Sequence, residues 1–71
     1  MITLGMYRHY KGGEYEVIAL GKNEETLEDV VVYKALYDGG SVWVRTLKVF
    51  EENVEVDGEM VQRFLPIVKA F

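Results

Sequence analysis

Three short strings in this chain hold the side chains best suited to chemistry or recognition. Tyr7-Arg8-His9-Tyr10-Lys11 interleaves rings with cations. An aromatic platform beside a guanidinium can stack a base or clamp a phosphate or carboxylate, and an imidazole titrates near neutral pH. The same alternation also suits a first strand whose tyrosines are half in the core and whose charges stay in water. Trp43-x-Arg45 puts two residue types enriched in binding hot spots on one face of a strand. Equally, Trp43 covers one end of a core while Arg45 pairs with an acid such as Glu25 or Glu28. The third string, Glu25-Thr26, sets a carboxylate beside a hydroxyl in a loop, suited to hydrogen-bonding a sugar, base or peptide amide. Its plainer reading is an acidic loop held by a side-chain-to-backbone bond.

Other chemistry is poorly supplied. With one histidine and no cysteine, a Cys/His nucleophile pair is excluded, and Ser41 with His9 lacks any supporting motif. A metal site would have to combine His9 with carboxylates at no recognisable ligand spacing. Lys11-Gly12-Gly13 reads as a hairpin turn rather than a strand-to-helix phosphate nest. No cofactor is implied, and an enzymatic role is the weaker reading.

The elements that position these strings follow from size and pattern. A chain of 71 residues, 49% hydrophobic and without cysteine, is expected to fold as one domain, residues 1–71, around one core with no disulfide to help it. Turn signals recur at Lys11-Gly12-Gly13, Gly21-Lys22-Asn23, Asp38-Gly39-Gly40 and Asp57-Gly58. Glu14 to Leu20 begins with strict alternation, which puts Tyr15, Val17 and Ala19 on one face. The run from Asp29 to Tyr37 is dense in β-branched and aromatic residues, predicting a central strand covered on both faces. It pairs with the alternating Ser41-Val42-Trp43-Val44-Arg45-Thr46 as a hairpin. Asp57-Gly58 predicts a second hairpin through a type I′ turn, whose two central residues need positive φ. Leu47 and Phe50, three apart, predict one 3₁₀ or α turn within residues 47–52, and Asn23 to Glu28 reads as a loop. Pro66 in the apolar tail is tolerated on an edge strand. The expected core is Val17, Val31, Leu36, Val42, Val44 and Phe50. Five or so short strands of this kind predict a small antiparallel barrel.

Several of these strings together resemble a known family. Gly5-x-Tyr7-Arg8-His9-Tyr10-Lys11-Gly12-x-x-Tyr15-x-Val17, Glu25-Thr26-Leu27-Glu28, Val31-Val32-Tyr33-x-x-Leu36-Tyr37, Trp43-Val44-Arg45, then Phe50, Val54, Gly58, Arg63 and Phe64, are similar to the bacterial domain-of-unknown-function 1653 family. The chain departs from that family's usual His-Ser at Asn23-Glu24 and from its Pro at Thr46. The resemblance implies an SH3-like β-barrel of unassigned function, so the expected fold is all-β, a five-stranded antiparallel SH3-like barrel.

The expected function is a small binding module. Tyr7, Arg8, His9, Tyr10, Glu25, Thr26, Tyr33, Trp43 and Arg45 are its candidate ligand-binding residues, for a small molecule, peptide or modified nucleotide. A nucleic-acid-binding barrel is the first alternative, using the basic start of the chain, although a net charge of −4 disfavours it. The second is an assembly domain in which Trp43, Phe50 and the apolar tail form a homo-oligomer interface. Met1 to Met6 lacks a basic region followed by an apolar stretch, and no apolar run reaches the ~20 residues of a membrane span, so a cytoplasmic protein without membrane partners is expected.

Overall fold

A computed structural model of the chain describes residues 2–67. The turn at Lys11-Gly12-Gly13 separates strand β1 (Gly5–His9) from β2 (Glu14–Lys22). Strands β3 (Asp29–Ala35) and β4 (Val42–Thr46) flank Asp38-Gly39-Gly40, and a single helical turn, α1 (Leu47–Phe50), follows directly. Asp57-Gly58 joins β5 (Asn53–Val56) to β6 (Glu59–Gln62), and β7 (Phe64–Pro66) comes last. The predicted turn near residues 47–52 is α1, opened by Thr46, whose Oγ1 accepts from the Val49 N–H at 3.3 Å. Asp57 and Gly58 have φ of 51° and 82°, as a type I′ turn requires.

The strands form two antiparallel sheets, one in the order β4-β3-β2-β1-β7 and one pairing β5 with β6. The described residues thus make seven strands where five were expected, and the larger sheet ends at two edges, β4 and β7. Pro66 lies on the β7 edge, where its missing N–H breaks no ladder. Among the described residues, no helix is long and apolar enough to cross a membrane.

Strand register decides which side chains meet, because directly opposed residues share a face. Tyr7 opposes Tyr15, His9 opposes Phe64, Val17 opposes Tyr33, Tyr33 opposes Trp43 and Val31 opposes Arg45. This face carries the core of Tyr7, Val17, Val31, Tyr33, Phe50 and Phe64, with Ile2, Tyr15 and Leu47 packed around it. Phe50 reaches in from α1 and stacks on Phe64 with ring centroids 4.1 Å apart.

Three core assignments are corrected. Val42, Val44 and Leu36 are 55%, 63% and 41% exposed. The first two point outward from an edge strand, and Leu36 falls just past the end of β3. Strand β3 is buried on one face only, with Val31, Tyr33 and Ala35 inside and Lys34 exposed. A register shift between Val17 and Ala19 turns Ala19 toward the outer face, opposite Val32, which ends the alternation expected of β2.

Candidate ligand-binding face

The aromatic core runs out to solvent at one end of the sheet. Phe64 meets His9 edge-on at 4.9 Å, Tyr33 at 5.5 Å and Tyr15 at 5.7 Å. Tyr15 in turn contacts Tyr33 at 5.3 Å and Tyr37 at 5.5 Å, while His9 packs on Tyr10 at 4.6 Å. Edge-to-face contacts of this kind add to the stabilisation from burial and hold each ring in one orientation. The outermost members, Tyr10 and Tyr37, are exposed, and Trp43 on the same face is 54% exposed.

Local sequence makes this clustering geometrically feasible. The reversal after β1 is tight: the His9 N–H donates to the Gly13 carbonyl and the Gly12 N–H to the His9 carbonyl, both at 2.7 Å. Gly12 takes a φ of 104°, open to glycine at little cost. At Gly13 the need is space: a Cβ there would lie 3.0 Å from Tyr37 Cε1 and 3.3 Å from Tyr15 Cε1. The absent side chain lets both rings close over the backbone, where their hydroxyls hydrogen-bond to each other.

Cations surround the rings. Arg45, half-buried on β4, donates from Nε to the Tyr33 hydroxyl at 3.1 Å. Arg63, just before β7, donates from Nη2 to Glu52 at 3.1 Å, while its Nε is buried with no hydrogen-bond partner among the described residues. Lys11 Nζ lies 5.8 Å from the Tyr10 ring centroid. His9 registers this environment, since burial and then the charges of Arg63, Arg45 and Lys11 hold its pKa below the usual 6.5. Its Nδ1 accepts the Lys11 N–H at 3.2 Å, so the neutral ring carries its proton on Nε2 and is a donor there. The Tyr15 hydroxyl is pushed up to about 12, first by its bond with Tyr37 and then by burial, with Arg45 opposing the rise.

Of the residues singled out in the sequence, His9, Tyr10, Tyr33, Trp43 and Arg45 come together here. Tyr7 shares the face but is 5% exposed, with its hydroxyl donating to the Thr3 carbonyl at 2.9 Å. Arg8 lies on the opposite face of β1, where it pairs with Glu14 at 2.9 Å. Glu25 and Thr26 sit in the loop beyond Lys22, roughly 20 Å along β2 from Tyr15 at about 3.3 Å per residue. That loop is ordered by Asn23 Oδ1, which accepts the Glu25 and Thr26 N–H groups. The partner of Arg45 is thus a tyrosine hydroxyl and not the acid considered from sequence.

Sequence reasoning overlooked Tyr15, Tyr37, Arg63 and Phe64 as site residues. Tyr15 carried a usable signal, its place on the core-facing side of an alternating strand. Arg63 and Tyr37 lie outside any strand, so no periodicity pointed to them.

The face is open, and three cavities lie beside or away from it. One of about 320 Å³ lies between Tyr7, Phe50, Phe64 and Pro66. A second, of about 420 Å³, lies between Asp29, Thr46 and Lys48, and a third, of about 170 Å³, between Ile2, Leu20 and Leu47. No group of three or more His, Asp or Glu side chains among the described residues is placed to hold a metal ion.

Among curated proteins, none matches the chain significantly. A crystal structure of a protein from Bordetella bronchiseptica, itself belonging to DUF1653, superposes with a TM-score of 0.82 at 34% identity, covering 99% of this chain and 95% of that one. The family model described as "Protein of unknown function (DUF1653)" matches residues 5–66. The chain therefore belongs to the DUF1653 family, whose function is unassigned.

Proposed function

We propose that this chain is a small cytoplasmic binding module whose ligand rests on the solvent end of the core face, against His9, Tyr15, Tyr37, Trp43, Arg45 and Arg63. The observation that carries this reading is the ring lattice itself. It is rigid where it joins the core at Phe64 and Tyr33 and exposed where it ends at Tyr10 and Tyr37, with Trp43 exposed on the same face. Fixed aromatic surface flanked by partly buried guanidinium groups offers contact area without ordering long side chains on binding. Tyr7 and Tyr33 serve as its support. Arg8, Glu25 and Thr26 stand apart from it by face or distance. In this reading the two sheets wrap the core as an SH3-like barrel left open between β4 and β7, with the site at one end.

A thermal-shift panel of mononucleotides, short peptides, short RNAs and aromatic acids tests the proposal. At least one class is expected to raise Tm in the parental protein and to lose that effect in Trp43→Ala and Tyr37→Ala. A panel in which every ligand leaves Tm unchanged, or in which those variants respond like the parent, contradicts it.

A second reading, self-assembly, draws on β4. It is an edge strand, and Val42, Trp43 and Val44 are each more than half exposed, a poorly guarded template for strand pairing. Of the tail segment considered for the same interface, residues 68–71 lie outside the described residues. Sedimentation velocity at increasing concentration tests this version. A constant monomer mass rules it out.

A further inference from the structure

We infer that the ligand of this face carries an oxyanion, a carboxylate or a phosphate, held at Arg45 beside the Tyr33 and Phe64 rings that His9 and Arg63 flank. This inference rests on the binding-module reading above and adds the chemical class of the ligand.

Uncompensated charge is the first ground. Arg45 is half-buried, and its hydrogen bond goes to a neutral hydroxyl, with no carboxylate within ion-pair distance among the described residues. A partly desolvated guanidinium is normally paired, because withdrawing a cation from water without a counter-charge is unfavourable. Arg63 has Glu52 on Nη2, but its Nε is left without an acceptor in a buried position. An oxyanion at Arg45 supplies the missing counter-charge through the shorter and stronger bonds of charged pairs, with Arg63 adding positive charge nearby.

The second ground is the supply of neutral donors on the neighbouring rings. The bond from Lys11 to Nδ1 leaves His9 Nε2 as a donor. The Tyr15 and Tyr37 hydroxyls hold two protons between them and use one in their mutual bond, so the other is free to point outward. Acidic side chains are absent from the groups that act on His9, all of which are cations. Donors set among positive charges suit an anion better than a cation, although the hydroxyl oxygens can also accept.

Charge elsewhere limits the size of the ligand. The chain carries 12 acidic against 8 basic residues, and Arg8 and Lys22 are already tied to Glu14 and Asp29. One cation cluster on an acidic protein suits one oxyanion, whereas a polyanion draws its affinity from many phosphate contacts. The surrounding rings favour a planar group attached to that oxyanion.

The only tryptophan of the chain, Trp43, lies on this face and reports binding by its fluorescence. The full chain is titrated with benzoate, phenyl phosphate and the uncharged benzyl alcohol, while His9 is followed by NMR. Both acids are expected to shift these signals with at least about tenfold tighter binding than the alcohol, a factor equivalent to roughly 1.4 kcal/mol. Tighter binding of phenyl phosphate identifies a phosphate source, and tighter binding of benzoate a carboxylate one. Arg45→Met, checked for a parental Tm, is expected to lower affinity for the acids and leave the alcohol unaffected. If the alcohol binds as tightly as the acids, the oxyanion inference fails while the binding module stands. If none of the three moves Trp43 or His9, both fail. The ligand comparison on the parental chain decides the matter even where a variant does not fold.

Discussion

At His9 the fold sets a group that is neutral in the native state against one that is protonated more readily when unfolded. Its native pKa lies below 6.5 because of burial first and the charges of Arg63, Arg45 and Lys11 next. As pH falls, the unfolded chain takes up the proton earlier, so the stability that is fully present above 6.5 is lost as pH drops through the lower native value. Urea unfolding measured from pH 7.5 downward should show this decline, and His9→Gln should flatten it above the range where carboxylates titrate, roughly pH 4. At Tyr15 the sign reverses. Its hydroxyl stays protonated up to about 12 against an ordinary 10, so the corresponding stability is complete below pH 10 and lost between 10 and 12. Removing its partner in Tyr37→Phe should bring the late phenolate transition back toward 10 in an absorbance titration. An unchanged late transition in that variant would assign the effect to burial alone. Arg45 links these two residues, because its charge depresses His9 and also opposes the rise at Tyr15.

The elements differ in how far they could be read from the chain. Asp57-Gly58 prescribes its own turn, and Thr46 caps α1 through a bond local in sequence, so both were legible. So was the β3–β4 hairpin. The bulge after Val17 was not, because it arises from pairing with β3, and the apolar run Val17-Ile18-Ala19-Leu20 fits an unbroken covered strand as well. The edge position of β4 was hidden for a similar reason, since β-branched residues suit a covered strand and an open one alike. The site shows the same division. Alternation separates Arg8 from His9, yet only register puts His9, Tyr15, Tyr33 and Arg45 from four strands on one face, and the Nε of Arg45 reaches the rings through the Tyr33 hydroxyl. These distinctions carry different energies. Phe64→Ala should cost about 3–5 kcal/mol in chemical denaturation, because it empties the centre of the ring lattice. Val44→Ala, on the exposed side of β4, should stay within about 0.5 kcal/mol. A large loss at Val44 would show that the edge is covered in solution, which is the assembly reading.

Over the whole molecule, a net charge of −4 averages an acidic surface and one cationic, aromatic end. That division separates the small-ligand reading from the nucleic-acid one. With a single cation cluster, a short RNA should bind no more tightly than a mononucleotide with one phosphate, and its affinity should fall only gently with salt. A gain of about tenfold or more with length, together with a steep salt slope, would instead favour a groove that tracks a backbone. On the proposed reading, this protein meets its ligand at the ring-lined end of the core face. Chemical-shift mapping of the intact chain with an aromatic acid tests it most directly. Shifts gathered at His9, Tyr15, Tyr33, Tyr37, Trp43 and Arg45 are predicted, with Arg8, Glu14 and the loop at Glu25 and Thr26 silent. Shifts centred on those silent positions, or a spectrum that does not change, would contradict it.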